Sequence, residues 1–299
     1  MNHVVKVTIG MCIKNSESTI KQAVESVLNQ DFSHDLMELI IVDGYSQDNT
    51  LEIVKEALKD KNIRVVIFRE REGLGRARQI VVDNANGEYI LWVDGDMILS
   101  KDFVKKQVEF MDNNPTAGIA KGKYGIIINS ENKSMVAFLE DLEFILSTQH
   151  VGEVNAKVLA TSGCIYRTKA IREVGGFNSS IRGVGEDMDA ENRIKAAGWK
   201  LYITSAVFQE IRRKSWRALW DEYVWHGKGA WNLFQKNKHL INLYKIFPLV
   251  TIINKLFQIS TAYKLTHRKI VIILPFHYIF KRIAWFLGFL KSFIGSHKN

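Results

Sequence analysis

The sequence predicts an α/β protein with a mostly parallel central sheet flanked by helices. Strand-like apolar segments alternate with helical segments over about the first hundred residues, which is typical of a parallel sheet. A polar cluster follows each strand-like segment, and ligands of open α/β sheets bind where the strands end. The four predicted strands of this part cover residues 4–13, 36–42, 63–68 and 89–93.

The fourth predicted strand ends in two carboxylates, Asp94 and Asp96, that are one residue apart. Five successive apolar or aromatic residues, 89–93, indicate a strand buried on both faces, and Gly95 allows the chain to turn. Carboxylate oxygens held this close together suit Mg²⁺ or Mn²⁺ bound to a diphosphate. Taken alone, the pattern is equally consistent with a strand followed by an Asp-Gly turn.

Other polar residues follow the neighbouring strands. The segment Lys14-Asn15-Ser16-Glu17 follows the first strand, Asp43 follows the second, and Arg78 lies in the helix after the third. The carboxyl ends of parallel strands share one edge, so these residues are expected near Asp94 and Asp96. A Rossmann dinucleotide fold is disfavoured, because no Gly-x-Gly-x-x-Gly follows the first strand.

A second acidic cluster opens a helix later in the chain. The predicted elements before it are a helix at 101–112, a strand-rich segment at 117–128, a helix at 134–146 and a short strand at 161–167. Glu186 and Asp187 then begin a helix whose inward face is predicted to carry Ala190, Ile194 and Ala197. Complementing the helix dipole explains Glu186 well, but it explains an inward-facing Asp187 poorly.

Composition limits the class of protein. With 299 residues, of which 46% are hydrophobic, the chain can bury a sizeable core. Cys12 and Cys164 have no metal-ligand spacing and form no disulfide framework, so a reducing compartment and no zinc site are expected. The amino terminus lacks the pattern of a signal peptide, which favours the cytoplasm.

Charge is strongly segregated along the chain. Residues 200–299 carry 17 Lys and Arg against 3 Asp and Glu, whereas residues 1–199 carry 24 against 29. Such asymmetry indicates a polyanionic partner, either nucleic acid or an anionic membrane surface. The basic residues are interleaved with long apolar runs rather than placed on a polar face, so a nucleic-acid-binding protein is the distant alternative.

Four motifs in order resemble those of the family 2 glycosyltransferases, which have the GT-A fold. They are Lys14-Asn15-Ser16-Glu17, the Val42-Asp43-Gly-x-Ser46-x-Asp48-x-Thr50 segment, Asp94-Gly-Asp96, and Gly185-Glu-Asp187 followed by Asp189 and Arg193. One Asp-x-Asp pair is a weak signal, whereas four ordered motifs on an α/β pattern are a strong one. The resemblance covers roughly residues 4–235.

The resemblance implies a metal-dependent, inverting transfer of a sugar from a nucleotide-sugar donor. Asp96 and Asp94 would hold Mn²⁺ or Mg²⁺, and Asp187 would be the base that deprotonates the acceptor hydroxyl. Many relatives carry a His after the last sheet strand; here Gln209 or Glu210 would have to replace it. The residues implied to bind the nucleotide sugar are Lys14, Asn15, Glu17, Asp43, Arg78 and Asp94, and those implied to contact the acceptor or the leaving diphosphate are Glu186, Arg213 and Trp216.

The predicted organisation is a GT-A catalytic domain over residues 1–237 and a basic, amphipathic helical extension over residues 238–299. No apolar run of this extension reaches the roughly 20 uninterrupted residues that span a bilayer, so helices lying in the membrane interface are expected. A helical hairpin packed on the catalytic domain or used for oligomerisation is the alternative.

The enzyme is therefore expected on the cytoplasmic face of the membrane, as a peripheral or monotopic protein. Its predicted partners are a nucleotide sugar, a lipid-linked or glycan acceptor and an anionic membrane surface, with no nucleic acid. A polyprenyl-phosphate sugar synthase is the alternative enzyme, because a phosphate acceptor needs no base. The Glu186-Asp187 pair favours a hydroxyl acceptor instead.

Overall fold

The computed structural model describes residues 4–125, 134–148, 150–154, 158–181, 183–236 and 249–296. The chain forms two compact units. We call residues 1–125 with 150–211 the sheet unit, and residues 126–149 with 212–299 the helical unit.

The sheet unit contains a nine-stranded mixed sheet within the described residues. The strand order is β3-β2-β1-β4-β8-β6-β9-β5, and β7 pairs with β9 outside this path. The strands are β1 (Val7–Ile13), β2 (Met37–Asp43), β3 (Arg64–Arg69), β4 (Tyr89–Trp92), β5 (Met97–Leu99), β6 (Ala117–Tyr124), β7 (Gly152–Glu153), β8 (Cys164–Arg167) and β9 (Lys200–Glu210).

The predicted parallel sheet is confirmed for the first four strands. β3, β2, β1 and β4 are all parallel neighbours. Every residue of β2 and β4 is buried, as expected for strands covered on both faces. The second half is mixed, because β8 runs antiparallel to both β4 and β6 while β6 and β9 are parallel.

Two helical layers cover the sheet. Apolar residues of α1, α2 and α4 pack in one core, and those of α3, α6 and α7 pack in the other. The inward face predicted for α7 is confirmed for Ala190 and Ile194 and wrong for Ala197, which is exposed because the helix ends one residue earlier. The helices are α1 (Ile20–Leu28), α2 (Thr50–Leu58), α3 (Leu74–Asn84), α4 (Phe103–Asn113), α6 (Thr168–Glu173) and α7 (Glu186–Ala196).

The helical unit consists of α5 (Met135–Ser147), α8 (Trp216–Lys236), α9 (Leu249–Thr266) and α10 (Leu274–Ser296). Helices α8 and α10 cross closely at two glycines. A Cβ atom on Gly227 would meet the Trp285 carbonyl, and one on Gly288 would meet the Val224 carbonyl, so only glycine permits this approach.

The predicted domain boundary at residues 237 and 238 and the predicted strand residues 126–128 lie outside the described residues.

A buried charged cluster joins α5 to α10. Lys281 Nζ lies 2.7 Å from a carboxylate oxygen of both Glu140 and Glu143. His277 Nε2 lies 3.2 Å from Glu140, and the His277 and Lys281 side chains are 0% and 4% exposed. Burial raises the pKa of Glu140, but Lys281 and His277 outweigh it and lower that pKa to about 2. The cluster is therefore charged and paired inside the helical unit.

Candidate active site

Asp94 and Asp96 lie where β4 ends, and both are half-buried. Backbone contacts fix the turn between them. The Thr19 hydroxyl donates to the Gly95 carbonyl at 2.8 Å, and the Ile211 amide donates to the Asp96 carbonyl at 2.8 Å. A Cβ atom on Gly95 would lie 3.1 Å from Ser16 Oγ, so a larger residue would crowd this turn. The two carboxylates are therefore held on a tight, bonded turn.

A loop just before β8 also reaches Asp94. Ser162 Oγ donates to Asp94 Oδ2 at 2.5 Å. The Leu159 and Ser162 carbonyls each accept a 2.7 Å hydrogen bond from Lys121 Nζ, and the Leu159 amide donates to Glu191 Oε2 at 2.8 Å. The sequence analysis missed Lys121, Ser162 and Glu191, because their partners are far away in sequence.

Glu191 lies one turn after Asp187 on α7 and is buried. Burial, with a smaller contribution from the charge of Asp187, raises the pKa of this carboxyl to about 7, although the Leu159 and Ala160 amides and Lys121 oppose the shift. Ala160 has a φ of 59°, a left-handed conformation that is strained for a residue with a side chain. Lys121 and Glu191 therefore clamp a strained loop on which Ser162 lies.

Asp187 is half-buried at the start of α7, and its Oδ1 accepts from the Met188 amide at 2.8 Å. Burial raises the pKa of the Cys164 thiol to about 12, with the charges of Glu191, Asp187 and Asp94 acting in the same direction and Lys121 opposing them. Asp187 lies one turn before Glu191 on α7, the helix that is bonded to the loop carrying Ser162. The role of Asp187 as the base stays a prediction.

Arg78 and Glu186 form a buried ion pair between α3 and α7. Their side chains are only 6% and 1% exposed, and the Arg78 guanidinium also lies over the rings of Trp92 and Phe177. Arg78 is therefore not a surface arginine, and the pair holds the amino end of α7 against α3. Their predicted contacts with the nucleotide and the acceptor stay predictions.

Asp43 is fully buried at the end of β2. Its Oδ1 accepts from the Ser46 amide at 3.1 Å, and its Oδ2 accepts from Arg69 Nε at 3.0 Å. The Arg69 and Arg71 guanidinium groups lie 4.3 and 3.9 Å from the centre of the Tyr45 ring. The Tyr45 ring therefore contacts two cations near Asp43, and Tyr45 has a φ of 56°.

The two predicted nucleotide loops are bonded to each other. The Asn15 amide donates to Ser46 Oγ at 3.0 Å, and Asn15 Oδ1 accepts from the Gln47 amide at 2.9 Å. Glu17 Oε2 accepts from both nitrogens of Asn49 at 3.1 Å. Asn15 and Glu17 therefore shape the rim, while Lys14 beside them is exposed.

The end of β9 lies beside Asp96. Met97 is paired with Glu210 and Ile98 with Gln209, so both candidate replacements for the family histidine are near the Asp94–Asp96 turn. Tyr124 donates its hydroxyl to Glu210 Oε1 at 3.2 Å. This hydrogen bond fixes the position of the Glu210 carboxylate. Both Gln209 and Glu210 stay candidates for replacing the family histidine.

Arg213 and Trp216 belong to the helical unit. Arg213 Nε lies 3.2 Å from Glu222, and the Trp216 ring packs at 4.9 Å from the Phe280 ring and 6.0 Å from the Phe276 ring. These contacts give Trp216 a packing role, and a role with the acceptor or diphosphate stays a prediction for both residues.

Within the described part of the chain, three metal-ligand side chains also converge at Glu140, Glu143 and His277. Lys281 lies 2.7 Å from both carboxylates and already neutralises charge there, so a cation would have to displace it. The donor set is geometrically able to hold a metal, but electrostatics favour the ion pairs. Asp94 and Asp96 are half-exposed, and they stay the predicted metal ligands.

Comparisons with known proteins agree with this architecture. The family model "Glycosyl transferase family 2" matches residues 8–175, more than half of the chain. An uncharacterized glycosyltransferase of Haemophilus influenzae is 25% identical over 219 residues, which cover 66% of this chain and 86% of that protein.

Solved structures share the fold at low identity. The mannosyltransferase PcManGT from Pyrobaculum calidifontis, in complex with GDP-Man and Mn²⁺, superposes with a TM-score of 0.65 at 15% identity, covering 95% of this chain and 87% of that one. S. aureus TarS in complex with UDP-GlcNAc superposes with a TM-score of 0.57 at 16% identity, covering 97% and 92%. These similarities confirm the GT-A fold, and together with the family match they show that the chain is a glycosyltransferase of family 2.

Proposed function

We propose that this glycosyltransferase transfers a sugar from a nucleotide-sugar donor to an acceptor hydroxyl, with metal-dependent donor binding at Asp94 and Asp96 and with Asp187 as the base. One observation carries the proposal. Ser162 binds Asp94, and the loop that carries Ser162 is bonded through the Leu159 amide to Glu191, which lies one turn after Asp187 on α7. This chain of contacts supports a common site for the donor and acceptor carboxylates.

The residues at the Asp94–Asp96 turn fit a divalent cation. Both carboxylates are half-buried rather than sealed, and their hard oxygen atoms suit Mn²⁺ or Mg²⁺. Glu210 or Gln209 at the end of β9 would add a third oxygen. A bound cation would neutralise charge that develops on the departing nucleoside diphosphate. The structural neighbour PcManGT is described with Mn²⁺, which supports the assignment.

The donor nucleotide is assigned to the rim formed by β1 and β2. Asp43 and Tyr45 would meet the base or ribose, while Asn15 and Glu17 keep that rim in shape through their bonds to residues 46–49. Exposed Lys14 is free to meet donor phosphate oxygens, as its charge favours. Arg78 would act on the nucleotide side through Glu186 and the amino end of α7. The relatives of known structure are described with GDP-Man and UDP-GlcNAc.

Asp187 is assigned as the base. Its carboxylate would take the proton of the acceptor hydroxyl while the acceptor oxygen bonds to the anomeric carbon and the bond from that carbon to the diphosphate breaks. Inversion of configuration follows from the family resemblance. A phosphate acceptor would need no base, which keeps a polyprenyl-phosphate sugar synthase as the alternative.

The acceptor is assigned to the membrane, as a lipid-linked or glycan acceptor reached from the cytoplasmic face. The strongly basic last third of the chain supports this assignment. Residues 269–296 form a helical segment of 28 residues whose most apolar 18-residue window has a mean hydropathy of 1.6, so by length and composition the segment is a candidate to cross a membrane, although Lys281 and Arg282 interrupt its apolar run. About a third of its most apolar stretch is buried inside the protein.

The test is a panel of nucleotide sugars with Mn²⁺ or Mg²⁺, scored by release of the nucleoside diphosphate. We expect at least one donor to be turned over with the cation and none in excess chelator. Turnover that is unchanged by chelator would contradict the metal-dependent mechanism. Lack of turnover with every donor, in the presence of extracted lipid acceptors, would contradict the proposed reaction.

A further inference from the structure

The buried face of α10 carries charge, whereas one exposed side of the helix is apolar. The buried positions include His277, Lys281, Ala284 and Gly288, spaced four, three and four residues apart. The exposed positions Phe276, Ile283, Leu287 and Ile294 follow the same helical period on a different side, with exposures of 60%, 49%, 39% and 53%. Lys281 and His277 therefore point into the protein, while these four large apolar side chains point outward.

The buried face of α10 is occupied by contacts with α5 and α8. Lys281 and His277 are paired with Glu140 and Glu143 of α5, and Gly288 lies against the backbone of α8. Moving α10 alone across a bilayer would separate Lys281 from Glu140 and Glu143 and leave buried charges unpaired, which is strongly destabilising. The helix is therefore fixed within the helical unit, with only its outer face open to a partner.

The outer face is an apolar stripe with basic flanks. We name Phe276, Ile283, Leu287 and Ile294 the α10 stripe, and Ile272 extends it with 70% exposure. Lys264, Arg268 and Lys269 are exposed before α10, and Lys291 is exposed near its end. No acidic residue follows Glu222 in the sequence. Apolar side chains flanked by cations complement an anionic lipid bilayer, where acyl chains lie below negative headgroups.

We propose that the α10 stripe is the lipid-contacting surface of the protein, and that α10 lies along an anionic bilayer with the stripe among the acyl chains rather than crossing it. This inference deepens the proposed membrane association and rests on it. The distribution of charge on α10 explains the orientation: Lys281 pairs within the buried cluster, and the exposed basic residues near the two ends of the helix meet the headgroups.

The first test compares flotation of the full chain on vesicles of phosphatidylcholine with phosphatidylglycerol and on vesicles of phosphatidylcholine alone. The Ile283→Gln/Leu287→Gln double variant is expected to bind the anionic vesicles roughly tenfold more weakly, because two apolar side chains lose their burial. The matched control is Val66→Gln/Val151→Gln, which changes two side chains of similar exposure in the sheet unit and should bind as wild type does.

A second test measures how deeply each end of α10 lies in the bilayer. Dyes on Phe276→Cys and Ile294→Cys mark positions about 27 Å apart along the helix. Quenchers at defined depths should report the same shallow depth for both sites if α10 lies in the interface. Clearly different depths for the two dyes, as expected for a spanning helix, would contradict the proposal that α10 lies along the bilayer. Equal vesicle binding by the stripe variant and by wild type would contradict the proposal that the α10 stripe contacts lipid. Self-association through the stripe without vesicle binding would also overturn it.

Donor hydrolysis in the absence of vesicles separates this inference from the proposed reaction. The stripe variant should release nucleoside diphosphate at the wild-type rate, because the α10 stripe lies outside the assigned catalytic residues. Loss of binding with retained hydrolysis supports the stripe. If neither wild type nor the stripe variant hydrolyses any donor, but wild type binds vesicles and the stripe variant does not, the proposed reaction is wrong and the α10 stripe is still supported as the lipid-contacting surface.

Discussion

Ser162 illustrates how single residues assemble this site. Its hydroxyl holds Asp94 at 2.5 Å, yet it lies on a loop that depends on two buried charges, Lys121 and Glu191. Glu191 belongs to the same helix as Asp187. A contact network thus runs from the helix that carries the assigned base to the aspartate assigned to the donor.

Asp187→Asn tests the assigned base. Replacing the carboxylate by a neutral amide of similar size should lower turnover by about 10² or more, since loss of a general base typically has that effect. Donor affinity should stay close to that of wild type. Steady-state kinetics and donor titration measure the two quantities, with Asp60→Asn at an exposed turn as control. Unchanged turnover would favour a phosphate acceptor.

Glu191 should make stability depend on pH. Its pKa of about 7 in the folded protein exceeds the usual 4.5, so the folded state binds more protons between these values. The free energy of unfolding therefore falls as pH rises from about 4.5 to about 7. Above that range, Glu191 destabilises the folded state by its full amount.

Glu191→Gln removes this titration while keeping a hydrogen-bond acceptor for the Leu159 amide. The melting temperature of the variant relative to wild type should rise between about pH 5 and about pH 8. Thermal unfolding at several pH values measures it, and exposed Glu56→Gln should show no such trend. If the difference in melting temperature between Glu191→Gln and wild type does not change with pH, the raised pKa of Glu191 is wrong.

Sequence reasoning located the residues that follow a strand and missed those that depend on tertiary pairing. Asp94 and Asp96 could be placed because an apolar run and a glycine define a strand and its turn. The Arg78–Glu186 pair and the Lys121–Glu191 clamp join residues that are 108 and 70 positions apart. No local pattern encodes such distances, and only the folded sheet brings these residues together.

At the scale of elements, the crossing of α8 and α10 fixes the helical unit. Gly288 lies against the Val224 carbonyl and Gly227 against the Trp285 carbonyl. Both glycines lie inside helices, where glycine costs roughly 0.5–1 kcal/mol relative to alanine. The close approach of the two backbones compensates for that cost through packing.

Gly288→Ala should destabilise the helical unit by about 1–3 kcal/mol, because the added methyl group would clash with backbone that cannot move freely. Gly295→Ala is the matched control on the same helix, since a Cβ atom there meets nothing within 4 Å. The control should be neutral or slightly stabilising. Chemical unfolding followed by far-ultraviolet circular dichroism compares the two. Equal stabilities would contradict the described crossing.

The same elements show where sequence patterns lose information. The first four strands followed from alternation with helices, and their parallel order is confirmed. The antiparallel placement of β8 between β4 and β6 was not predicted, because a short segment of small residues carries no signal of its direction. Similarly, the apolar pattern of α10 did not reveal that Lys281 points inward, since its partners lie on α5.

At the scale of the whole molecule, charge and chemistry are divided between two units. The sheet unit carries the aspartates assigned to the donor and to the base, and the helical unit carries most of the basic residues of the last third of the chain. Such a division fits the proposed combination of a soluble donor and an acceptor delivered at a membrane. The GT-A fold and the family are shown, and the donor, metal and acceptor assignments rest on the proposed site.

The most direct measurement is calorimetric titration of the donor identified in the panel, with and without Mn²⁺, into wild type, Asp96→Asn and the control Asp60→Asn. Removing one charged oxygen ligand should abolish the Mn²⁺-dependent part of donor affinity in Asp96→Asn, while wild type and Asp60→Asn keep it. Donor affinity in Asp96→Asn that still rises with Mn²⁺ as it does in wild type would contradict the central claim.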